Sequence, residues 1–163
     1  MNLKFDEDSG IIADKATGER CIIVSKTRVQ GIFEGLSRIF RSGIGVLLKE
    51  SSRTYAMNVA KLSPHTANVD LELLVSAYAK TFVQLGFGKM EVLEFSPKEA
   101  KLQVRVWNNF FAELRYDEST YCNYVEGLLT GIYEALLHRA PNVKEVKCIG
   151  NGDPYCEFLL TRK

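Results

Sequence analysis

Apolar positions recur along this 163-residue chain with two different periods. Between Leu3 and Val24, short apolar stretches are cut by the turn signals Ser9-Gly10 and Thr17-Gly18-Glu19, which predicts a small hairpin or ribbon with Cys21-Ile22-Ile23-Val24 as its strongest strand. From Ser25 to Arg41, Val29, Ile32, Phe33, Leu36, Ile39 and Phe40 repeat at helical spacing until Ser42-Gly43-Ile44-Gly45 interrupts them. A second helix is expected from Val46 to Leu62, closed by Ser63-Pro64. A third spans Leu71 to Leu85, with Leu74, Tyr78, Phe82 and Leu85 on one face and Gly86 as its stop. The period then switches to two. Lys89 to Phe95 and Lys101 to Trp107 read as antiparallel strands joined through Ser96 to Ala100, with Leu102, Val104 and Val106 on the buried face. Asn108 to Asp117 shows no clear period. Tyr121 to Arg139 is a helix with the stripe Val125, Leu128, Leu129, Ile132 and Leu136, and Val143–Cys148 and Tyr155–Thr161 complete the strands. Helices segregated from an antiparallel sheet describe an α+β fold, the sheet packed against a helical layer.

Composition narrows the classes. With 46% hydrophobic and 25% charged residues, residues 1–163 suffice for one domain with one core. Net charge is +1 and the basic residues are scattered, which speaks against nucleic-acid binding. The acidic N-terminal segment lacks the apolar run of a secretory signal, and no stretch reaches membrane-spanning length. The expectation is therefore a cytoplasmic protein that does not enter the membrane and whose cysteines stay reduced.

Cys122, Glu145, Cys148 and Cys156 are the chemically informative residues. Cys148 and Cys156 bracket a segment with the Asn151-Gly152 and Asp153-Pro154 turn signals, so two strands should meet with the thiols across the turn. Ser119 or Thr120 is a plausible N-cap. That puts Cys122 in the first turn of the following helix, three residues before Val125, so its thiol should point inward where the helix dipole favours the thiolate. Three thiols and a carboxylate could close around one zinc ion, and a site with no open position is structural. Glu145 and Cys148 stand three apart, however, which places them on opposite faces of a regular strand; the strand must bend or end near Val146-Lys147 for both to ligate. Spacing alone leaves open the plainer reading, cysteines buried as small apolar side chains. Cys21, remote in sequence, reads as core packing.

Two motifs in the C-terminal third, Cys122-x-Tyr124-x-x-Gly127-Leu128-Leu129-x-Gly131 and Glu145-x-x-Cys148-x-x-x-Gly152-Asp153-x-x-Cys156-x-Phe158, resemble the 4-vinyl reductase domain. That module is related to Golgi transport-particle subunits and to haem nitric-oxide sensor domains. The resemblance implies an α+β sandwich of that ligand-binding type, a helix and hairpin over 119–163 that hold zinc through the four residues, and a homodimer. Sensor members bind aromatic or other hydrophobic molecules, which implies a small hydrophobic ligand here and a protein partner for output.

The family name also suggests reduction of a tetrapyrrole vinyl group. No Gly-x-Gly-x-x-Gly opens a helix after a strand, and neither His65, in a loop after Pro64, nor His138, in the last turn of a helix, sits in a recognisable catalytic arrangement. Binding is thus better supported than catalysis. Trp107, Phe111, Tyr78 and Phe82, with Phe110 and Tyr55, could line an apolar pocket. A dimeric scaffold is the third class. Its sequence feature is the row Gly127, Gly131, Ala135 on one helix face, which reads first as tight internal packing and second as a subunit contact.

Overall fold

A computed structural model of the chain describes residues 2–62, 71–114 and 122–163. Three short strands come first: β1 (Leu3–Asp6), β2 (Ile11–Asp14) and β3 (Arg20–Cys21) form an antiparallel ribbon. Asp6 and Asp14 each accept backbone N–H groups two and three residues ahead, which closes both turns. The ribbon differs from expectation at β3, which ends at Cys21; Ile22, Ile23 and Val24 leave the sheet and lie exposed. Cys21 is half-buried, its thiol donating to the Glu19 carbonyl at 3.5 Å, and it is not part of the core as the sequence suggested. A ribbon with no helix laid on it has no interior to offer.

Helix α1 (Lys26–Phe40) starts at Ser25, whose hydroxyl caps the Arg28 amide, and ends where Arg41 turns to a φ of 47°. One 3-10 turn later, α2 (Ile44–Leu62) begins two residues ahead of the expected start, because Ile44 and Leu48 anchor its first turns in the core. Helix α3 (Leu71–Gln84) stops at Gly86 with a φ of 75° and feeds β4 (Lys89–Ser96). Strand β4 pairs with β5 (Lys101–Trp107), and after α4 (Asn123–Leu137) the chain adds β6 (Pro141–Lys147) and β7 (Cys156–Arg162). The second sheet runs β4-β5-β7-β6, antiparallel throughout, so the fold is the expected α+β sandwich. The expected closing residues Ser63 and Pro64, the loop histidine His65, and the N-cap candidates Ser119 and Thr120 lie outside the described residues.

The inner face of this sheet carries Leu102, Val104 and Val106 from β5 and Cys156, Phe158 and Leu160 from β7. Helix α4 lies between that face and α2, which explains why it is buried from Gly127 to Tyr133 without a break. The α2–α4 crossing is very close. A Cβ on Gly127 would stand 2.0 Å from the Lys49 carbonyl oxygen, and one on Gly131 would stand 2.5 Å from that of Arg53. Facing them are the small residues Ser52, whose hydroxyl donates back to the Leu48 carbonyl at 2.9 Å, and Ala56. Ion pairs Lys49–Glu126 and Arg53–Glu134 flank the contact at 2.8 and 2.7 Å. The glycine row of α4 is therefore internal packing. Among the described residues no helix is long and apolar enough to cross a membrane.

Candidate metal centre and its aromatic neighbour

Strand β6 presents Val143 and Glu145 inward, and its partner register places Glu145 opposite Phe158 and then Lys147 opposite Glu157. Val146 is the extra residue, a β-bulge. Because one position is skipped, Cys148 returns to the inner face with Glu145 and Cys156, and the parity conflict in the sequence disappears. The turn from Cys148 to Cys156 is built by Asp153, whose carboxylate accepts the Cys148 amide at 2.9 Å, and by Gly152 with a φ of 95°. Cys122 comes from above. It occupies the N-cap position of α4, one residue before the first helical turn expected for it, and is buried.

These elements bring all four predicted ligands together, with one donor atom of each lying within 4.8 Å of every other. The Cys122 sulfur is 3.6 Å from that of Cys148 and 3.5 Å from that of Cys156. A tetrahedral zinc site with zinc–sulfur bonds of about 2.3 Å puts its sulfurs about 3.8 Å apart, so the spacing fits with minor adjustment. Glu145 Oε1 is buried and has no hydrogen-bond partner among the described residues, an expensive arrangement that a cation would relieve. Burial pushes the Glu145 carboxyl up to about 8. Cys156 is held down at about 4 by hydrogen bonds from the Cys122 and Cys148 thiols, then the Ile149 amide and the Asn109 side chain; Cys122 is raised far above the usual thiol range for the complementary reason. Without a cation the cluster holds protons where ligation would need lone pairs.

Asn109, which sequence reasoning missed, ties this cluster to a second feature. Fully buried, it donates from Nδ2 to Cys122 Sγ at 3.4 Å and Cys156 Sγ at 3.3 Å, while its Oδ1 accepts the Phe111 amide at 3.1 Å. N–H donors to sulfur stabilise thiolates and orient metal ligands. The available signal was a polar pair, Asn108-Asn109, immediately after an apolar strand; the close approach at Gly88, where a Cβ would stand 2.5 Å from the Trp107 carbonyl oxygen, fixes this corner.

Beyond Asn109 lies a cluster of rings. Phe111 stacks on Tyr124 at 4.1 Å and touches Phe87 at 5.0 Å, and Phe87 meets Phe82 edge-on at 5.5 Å. Phe82 and Phe111 are thus brought together as expected, and Tyr78 packs against the same core one turn before Phe82. Burial raises the phenols of Tyr55, Tyr78 and Tyr124, and the Tyr55 phenol adds to the other two, so α2, α3 and α4 each direct a hydroxyl into one neighbourhood. Trp107 does not join them. It follows Val106 on β5, so strand alternation sends it to the outer face, where it stacks on Tyr155 at 4.8 Å and donates to Glu91 at 3.3 Å. His138 is exposed at the C-cap of α4 in left-handed conformation, consistent with a helix-ending role.

Comparison with known proteins gives this geometry a lineage. Residues 102–162 match the family model of the vinyl-4-reductase domain, which bears out the resemblance seen in the C-terminal motifs. An uncharacterised protein of Methanocaldococcus jannaschii is 32% identical over 92 residues, covering 56% of this chain and 53% of its own length; a second from the same organism is 33% identical over 81 residues, covering 50% and 42%. The chain thus spans about half the length of these curated relatives or less. Among solved structures, the phenol-responsive sensory domain of the transcription activator PoxR, bound to phenol, superposes with a TM-score of 0.78 at 15% identity, over 99% of this chain and 85% of that one. A vinyl-4-reductase family protein from Methanocaldococcus jannaschii gives 0.59 at 18% identity over 88% and 84%. A trafficking protein particle complex subunit 3 from Naegleria fowleri, covalently bound to palmitic acid, gives 0.53 at 13% identity over 85% and 95%. At these identities the structures share the fold.

Proposed function

We propose, from the vinyl-4-reductase match over residues 102–162, that this chain is a sensor-like binding protein that holds a small hydrophobic or aromatic molecule beside a structural zinc ion. The observation that carries the reading is Asn109, whose two ends touch the thiol cluster and the backbone of the ring cluster. Cys122, Glu145, Cys148 and Cys156 would hold the zinc, whose charge would offset that of the deprotonated thiols and carboxylate. No position is left for a reacting water, so the ion would stabilise rather than catalyse. Phe82, Phe87, Phe111 and Tyr124 supply apolar contact area and the tyrosine hydroxyls supply polar anchors, the composition of a small-molecule site. Ligands borne by two of the structural neighbours, phenol and palmitic acid, define the chemistry to try first. Output would pass through a homodimer or a protein partner.

Native mass spectrometry of protein purified without added metal, followed by calorimetric titration with phenol and with palmitate, tests both parts. One zinc per chain and saturable binding of either molecule is the expected result. A metal-free, folded protein that binds neither would return the cysteines to the core and end the sensor reading.

A further inference from the structure

The outward face of α1 is built unlike any other surface among the described residues. At 100° per residue, Arg28, Gly31, Ile32, Gly35, Arg38 and Ile39 fall on one side of the helix, and all six are exposed. A Cβ built on Gly31 or Gly35 meets nothing within 4 Å. Each glycine in a helix interior is unfavourable by about 1 kcal/mol relative to alanine, so two of them with open space above have no reason inside the monomer. In α4, glycines at the same spacing admit the backbone of α2. Around the α1 pair, Ile32 is 57% and Ile39 74% exposed, and the preceding strand segment leaves Ile22 and Ile23 at 78% and 75%. Most of the exposed large apolar side chains among the described residues lie between Leu3 and Leu47.

Charge selects the occupant. Arg28 and Arg38 bracket the glycines and take part in none of the ion pairs among the described residues. The tip of the β1–β2 ribbon carries the opposite sign. Asp6 is engaged in its own turn, but Glu7 and Asp8 project beyond it, next to Phe5, and likewise join no ion pair among the described residues. An apolar and acidic tip and an apolar and basic helix face are complementary, and both are present on every copy. We infer that a second copy of this chain docks here, the ribbon tip of each protomer seated on α1 of the other. Such an exchange is isologous and closes at two copies. The glycines admit the partner's ribbon backbone and its apolar tip, and the two arginines receive the two acidic side chains. The inference gives the dimer of the proposed function a surface, and rests on that reading for nothing but the number of copies.

Sedimentation velocity on the full chain tests it through reciprocal charge reversal. Glu7→Lys with Asp8→Lys, and separately Arg28→Glu with Arg38→Glu, should each weaken self-association at least about tenfold, with unchanged circular dichroism because all four side chains are exposed. Mixed one to one, the two variants should recover the dimer, since both reciprocal contacts regain opposite signs. Gly31→Leu with Gly35→Leu should also yield monomers that remain folded. A wild-type monomer at every concentration, a dimer indifferent to both reversals, or no recovery on mixing would overturn the assignment. Zinc content measured on the same samples keeps the readings apart: a zinc-free dimer sinks the metal proposal alone, and a zinc-loaded monomer sinks the dimer surface alone.

Discussion

Helices α1 and α4 both carry glycines four residues apart, yet one pair is roofed by the backbone of α2 and the other faces open space. The contrast extends to their surroundings. Around α4 the charges are paired, Glu126 with Lys49 and Glu134 with Arg53, and the side chains are buried; around α1, arginines outside any ion pair among the described residues stand between exposed isoleucines. An identical sequence pattern thus marks a finished contact in one place and an unused one in the other. The teaching is that a small-residue spacing reports close approach by something, and only the neighbours say by what.

The C-terminal half should be far more sensitive to insult, and the largest blow falls on its thiols. Cys148→Ser is expected to remove bound zinc and lower the melting temperature together, by several kcal/mol of stability, because ligand loss turns binding energy into unfolding. If calorimetry finds the wild type equally stable after a chelator has demonstrably stripped its metal, the centre is not structural. Next, Gly127→Ala forces its methyl into the Lys49 carbonyl, at about 1–3 kcal/mol or more, whereas Gly31→Ala should stabilise the monomer by up to about 1 kcal/mol. Chemical denaturation of the two variants side by side should show opposite signs; equal signs would dissolve the comparison.

Asn109→Ala removes donors to two sulfurs and the acceptor of the Phe111 amide, so a loss of about 1–3 kcal/mol is expected, with zinc affinity reduced about 10- to 100-fold by competition against a chelating dye. A loss of stability without loss of affinity would make Asn109 purely a packing residue. The smallest effect concerns acid. Hydrogen bonds from Arg105 hold the Glu157 carboxyl below its ordinary value, so its contribution is complete above the unfolded value of 4.5 and fades as pH falls through the lower folded value. Glu157→Gln should flatten that acid limb in a pH series of melting curves; an unchanged limb would assign acid sensitivity elsewhere.

Much of this was legible beforehand. The switch from a period near 3.6 to a period of two located the helices and strands of both halves, and the turn residues placed the hairpin that carries Cys148 and Cys156. The four thiol and carboxylate residues were found because their chemistry is rare and their spacing tight. Asn109 was missed because an amide has no distinctive spacing, and its role exists only where three separate segments converge. Trp107 was misassigned for a plainer reason: aromatic character was read without its strand parity, although Val106 beside it already belonged to the buried face. Cys21 failed because an apolar strand was assumed to have something packed over it, and nothing in a local pattern says whether a second layer exists.

The bulge at Val146 has a consequence for how sequences of this shape are compared. Counted along the chain, Glu145 and Cys148 are separated by two residues; counted across the sheet they behave as though separated by one. Val146 is exposed and spoken for by neither face of the sheet, so it occupies a place in the text and none in the inward pattern. A homologue with one residue fewer here would keep the same two groups facing inward on an unbroken strand. An alignment that penalises this gap would score as divergence what, to the site, is an equivalent spelling.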